Sequence, residues 1–136
     1  MSWRESLIRI SNHEVETLQK RLGEITQRKT LAEMRLTMLE AEIEGERTHA
    51  RQNGDAVGWS LAGFLEGAKH RRVRIELEIE TIGQEESGAR DALTLAFESL
   101  KKFEHVAELA RLATAKETAK RENAAMDEMG LRAASR

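Results

Sequence analysis

Not one of the 136 residues is proline. Average usage would place about seven in a chain of this length, and proline is the residue that breaks helices and sets turns. Its absence predicts long uninterrupted helices joined by very few turns. The acids agree, with 21 Glu against 3 Asp. Glu keeps most of its rotamer freedom in a helix, whereas Asp competes for its own backbone and favours caps and loops.

Aromatic residues make up only 4% of the chain, while hydrophobic residues reach 40% and charged ones 34%. That balance favours long, thin helix-helix contacts over a globular interior. There is no cysteine, so disulfides, thiolate chemistry and Cys-ligated zinc are excluded, which suits a cytoplasmic setting. The N-terminal MSWRESLIRI is interrupted by Arg4, Glu5 and Arg9 and does not read as a signal peptide or a membrane span. A formal charge of -2, with both signs interspersed, provides no field for steering to nucleic acid.

Over residues 2–50 apolar side chains recur at alternating spacings of three and four, the pattern of a coiled-coil seam. The a positions fall at Ile8, Val15, Leu22, Lys29, Leu36, Ile43 and Ala50, and the d positions at Ser11, Leu18, Ile25, Ala32, Leu39 and Glu46. Ser2 and Glu5 read as a capping box that starts the helix. Gln52, Asn53, Gly54 and Asp55 form the clearest turn signal, since Asn and Gly tolerate the left-handed conformation that ends a helix. A second register follows, with d at Leu61, Ala68, Ile75, Ile82, Ala89, Ala96, Phe103 and Ala110, and a at Leu65, Arg72, Ile79, Glu86, Leu93, Leu100 and Ala107. Gly83 and Gly88 interrupt it and should soften or bend the helix.

A short turn makes the two helices antiparallel neighbours. The predicted fold is therefore all-α: one antiparallel two-helix coiled-coil hairpin over residues 1–136. Helix one spans about 2–52, the turn about 53–59, and helix two about 60–129. The second helix outlasts the first and should end in a C-terminal helical overhang of about twenty residues. Folding about the turn sets Lys29 near Glu86 and Glu46 near Arg72. Each polar mismatch in the seam thus becomes an opposite-charge pair that either fixes register or snorkels out of a thin interface.

Chemistry is hard to place on this chain. His13 with Glu16 and His105 with Glu108 have a spacing that could suggest a metal, yet both histidines occupy outward f positions and face opposite sides of a hairpin. No phosphate loop or nucleophile elbow is present. The reading is a non-enzyme with no metal, no cofactor, no small-molecule substrate and no nucleic-acid partner. The basic run KHRRVR at 69–74 lacks interleaved aromatics and sits beside Glu66, Glu76, Glu78 and Glu80. It reads as a salt-bridged face, with phosphate binding the lesser alternative. More informative is an apolar stripe off the seam: Leu31, Met34, Met38 and Ala41 lie at c and f positions, where a hairpin offers no cover. Such patches usually mark interaction sites, and weak self-association into a four-helix bundle is the simplest use.

The stretch HEVETLQKRLGEI, the segment AEMRLTML at 32–39, Trp59 just after the turn, and AAMDEMGLRAA at 124–134 together resemble the FliJ family of the bacterial flagellar type III export apparatus. The likeness runs over nearly the whole chain. It implies a coiled-coil stalk that binds a hexameric export ATPase (FliI-like), promotes ring assembly and ATPase activity, contacts an export gate protein (FlhA-like) and handles export chaperones. It also implies a cytoplasmic protein recruited peripherally to the inner membrane at the flagellar basal body. On that carry-over Trp3, Leu7, Ile10, Met126, Asp127 and Met129 face the ATPase, and Trp59, Leu61, Phe64, Leu65, Ala68 and Arg72 form the gate-facing region. The alternatives are the equivalent stalk of a virulence type III secretion system and a homodimeric coiled-coil scaffold unrelated to secretion.

Overall fold

The structure is a computed structural model that describes residues 2–54 and 58–135, with the side chains of Gly58 and Trp59 outside the description. The described residues form two α-helices, α1 (Trp3–Asn53) and α2 (Gly58–Ala134). They pack against each other as an all-α antiparallel hairpin, and the direction follows from the cross-pairs: Arg28 meets Glu85, Arg35 meets Glu78, and Glu42 meets Arg71.

The start of α1 is fixed by a reciprocal capping box. The Glu5 backbone N–H donates to Ser2 Oγ (3.2 Å) while the Ser2 N–H donates to Glu5 Oε2 (3.3 Å), satisfying donors that no earlier turn can serve. At its other end Asn53 Nδ2 donates to the His49 carbonyl (2.8 Å), and Gly54 adopts φ 69, the left-handed value at which a β-carbon would be strained. The expected turn residues 55–57 lie outside the described residues. α2 begins two residues earlier than its sequence pattern suggested and runs to Ala134 rather than 129, because Gly130 does not stop it. Arg132 pairs with Glu128 one turn back (2.9 Å), which supports the last turns past that glycine.

The chain divides into two compact units. The turn unit comprises residues 17–93. Its core is the cluster of Ile25, Ala32, Ile82 and Ala89, with Leu22 and Ile79 packed against it. Ala32 and Ala68 have no exposed surface at all. The terminal unit comprises residues 1–16 with 94–136, and its buried residues are Ser11, Val15, Ala96 and Leu100. Every a and d position assigned on α1 is buried or half-buried except Glu46, and every one assigned on α2 as far as Ala110 is as well. Beyond Ala110 each described residue is exposed, and past Ala115, the last α2 residue in a groove shared with the first turns of α1, the helix runs on by itself.

α2 passes through Gly83 and Gly88 without a break. A β-carbon added at either would meet nothing within 4 Å. Replacing both with Ala should therefore raise stability by about 1 kcal/mol per site, since only backbone freedom changes. Thermal melts of the single and double variants check this; a loss at either site would mean that the glycine is needed for close approach.

Candidate partner-binding surfaces

Seam polarity is resolved at one of the two expected places. Lys29 Nζ lies 3.5 Å from Glu86 Oε1, and the Glu86 side chain is only 14% exposed. Thr26 Oγ1 donates to the other Glu86 oxygen (3.2 Å), and Arg90 Nε approaches to 3.8 Å. Glu46 and Arg72 do not pair. Arg72 reaches Glu40 instead (3.3 Å), and Glu46 is exposed. The pairs Arg28–Glu85, Arg35–Glu78 and Glu42–Arg71 set the register, which brings Arg72 level with Ala41 and beside Glu40, more than a turn from Glu46.

One flank of the turn unit carries a ladder of cross-helix ion pairs: Arg28–Glu85 (2.8 Å), Arg35–Glu78 (2.7 Å) and Glu42–Arg71 (3.7 Å). Each is about half exposed, so each adds little stability on its own. The third pair reverses polarity, with its acid on α1, and a slipped register would set like charges together at one rung or another.

The gate-facing residues expected from sequence do not form one exposed surface. Ala68 is fully buried in the seam and cannot be offered to a partner. Leu61, Leu65 and Arg72 are half-buried seam residues, and Phe64 is half-buried with the Arg71 guanidinium 5.6 Å from its ring centroid. Trp59 lies within α2, but its side chain is outside the described residues. The off-seam stripe is fully open, with Leu31 at 52%, Met34 at 54% and Met38 at 68% exposure, and Ala41 beside them. Val73 and Leu77 of α2 are likewise exposed.

In the terminal unit Trp3 and Ile10 are exposed, and Arg4 lies over the Trp3 ring at 4.7 Å. Leu7 is half-buried. Met126 and Met129 stand open on the uncovered stretch of α2, with Asp127 between them. Arg4 together with Ala107, Ala110 and Thr114 lines an open groove, which sets the first turns of α1 against residues 107–115 of α2. Sequence reading missed Leu95, Val106, Leu109 and Leu112, all exposed large hydrophobics of the same unit. The off-seam test that found the Leu31 stripe would have found them too, had it been continued along the second helix. Within α2, Arg111 donates to Glu108 at 2.6 Å, and this hydrogen bond holds the Glu108 carboxyl below the usual carboxylate range.

Among the described residues no group of three or more His, Asp or Glu side chains could hold a metal ion. His13 and His105 are both exposed. Also among the described residues, no helix is long and apolar enough to cross a membrane.

Two long helices, a thin seam of small and aliphatic residues, and large hydrophobics left open off that seam define a coiled-coil interaction protein. The sequence model described as "Flagellar FliJ protein" matches residues 5–136. Proteins named "Flagellar FliJ protein" from two strains of Caulobacter vibrioides, NA1000 / CB15N and ATCC 19089 / CIP 103742 / CB 15, are 56% identical over 133 residues, covering 98% of this chain and 95% of each relative. No solved structure matches the chain. The chain belongs to the FliJ family, and that membership places it among the components of the flagellar export apparatus.

Proposed function

We propose that this chain is a cytoplasmic stalk of the flagellar export machinery with no catalytic activity of its own. Its terminal unit binds a hexameric export ATPase of the FliI kind, promotes ring assembly and raises ATPase activity. Its turn unit contacts a gate protein of the FlhA kind, which recruits the protein to the inner membrane at the basal body, and it takes part in handling export chaperones. The observation that carries this reading is the uncovered stretch of α2 past Ala115, where exposed Met126 and Met129 share a unit with exposed Trp3 and Ile10. Helix with apolar side chains and no intramolecular cover is suited to packing against another protein.

The test is capture of the export ATPase by the full chain and by a chain lacking residues 116–136, with ATP hydrolysis measured alongside. The full chain is expected to bind and stimulate at substoichiometric amounts, and the shortened chain to lose both. No stimulation by the full chain, or none lost on truncation, would overturn the reading. Open Leu31, Met34 and Met38 favour a second reading, weak self-association, which sedimentation across a concentration series separates from a monomeric stalk.

A further inference from the structure

The ladder flank of the turn unit pairs acids with bases across the helices, whereas on the opposite flank Arg47 and Lys69 stand beside the Arg72–Glu40 pair with no acid of their own among the described residues. There Arg47 of α1 and Lys69 of α2 line one open groove together with Arg72, Ile43 and Leu65. Among the described residues neither Arg47 nor Lys69 has an ion-pair or hydrogen-bond partner. Arg72 is tied to Glu40 through Nη2, while its Nε is buried without a partner. Like charges at flanking positions of a coiled coil repel and lower stability. A chain with 24 acids and 22 bases could readily have placed a Glu at one of these positions.

We infer that this groove docks an acidic peptide segment of a partner protein, with carboxylates against Arg47, Lys69 and Arg72 and an aliphatic side chain against Ile43 and Leu65. Guanidinium and ammonium groups recognise carboxylates through charge-assisted hydrogen bonds, and the two aliphatic walls suit a peptide better than a bare ion. A flat lipid surface fits less well. Lys69, Arg71, Arg72 and Arg74 step round α2 by about 100° per residue and so cannot all meet one plane. Nucleic acid is disfavoured by the lack of interleaved aromatics and by the net charge of -2.

The inference rests on the proposed function for the turn-side surface and names its partner's chemistry, and its main readout is a peptide, with gate-protein capture as the separate check on that function. Fluorescence anisotropy would follow a labelled poly-Glu peptide with leucine at every fourth position against the full chain. Saturable binding is expected, weakened by salt and lowered about tenfold by Arg47→Glu with Lys69→Glu. Lys20→Glu with Lys102→Glu, an equal change of charge away from the groove, should leave it unchanged. Arg47→Glu alone should raise the melting temperature by relieving repulsion from Lys69, which separates lost binding from lost folding. Equal losses in both double variants, no peptide binding, or binding only to phosphatidylglycerol vesicles would overturn the inference. An absent peptide signal with gate-protein capture intact would sink it while leaving the proposed function standing.

Discussion

Ile82→Ala is expected to lower the stability of the hairpin by about 3 kcal/mol. Ile82 is 2% exposed and belongs to the cluster with Ile25, Ala32 and Ala89. Two of those neighbours are alanines, which have no longer side chain to swing into the space left behind. The cost is therefore the transfer free energy of the missing methylenes plus much of the cavity. A seam between only two helices has no second layer to share the loss, and folded domains hold only about 5–15 kcal/mol in total. Urea titration followed by far-UV circular dichroism reads the change directly. A loss below about 1 kcal/mol would mean that Ile82 is not packed as described.

Lys29→Glu should be nearly as damaging, at about 2 kcal/mol. That value is set below the range for fully buried pairs because the Lys29 side chain is 33% exposed. The substitution removes the nearest cation from Glu86 and sets a second carboxylate in the same layer. Thr26 and Arg90 remain beside Glu86 and should soften the loss without cancelling it. Adding Glu86→Lys to make the swapped pair should recover part of the melting temperature, but not all, since the new lysine faces Arg90. A swapped pair that recovers nothing would show that the two side chains are not coupled.

Most of the seam was legible because a single physical requirement, burial along one stripe, imposes the same spacing on every turn. From Ile8 to Ala50 and from Leu61 to Ala110 only Glu46 proved exposed where cover was expected. The failures arose where that requirement was silent. Matching Glu46 to Arg72 came from folding the chain about the turn, which missed the actual register there by more than a turn and so missed Glu40. Placing Ala68 on a partner-facing surface took a region from resemblance, although its own heptad position marked it as core. The second helix was expected to end near 129, while the Glu128–Arg132 pair, one turn apart, carries it past Gly130. The terminal hydrophobics Val106, Leu109 and Leu112 carried a readable signal, since residues outside a seam need another reason to be apolar. Arg47 and Lys69 carried almost none, because unpaired cations on a flank look the same in sequence as paired ones.

The uncovered end of α2 has a consequence for how tightly anything can hold it. With no neighbour from α1, its helicity rests on intrinsic propensity and short-range pairs such as Glu117–Arg121 (3.5 Å) and Glu128–Arg132 (2.9 Å). A partner that grips it must bear the entropy of stopping its fraying, so measured affinity is the contact energy less that ordering cost. Ionic strength weakens those pairs and raises the cost. Capture of this segment should therefore become weaker in salt even by a binding site that is entirely apolar, and a salt-dependent affinity would be no proof of charged contacts.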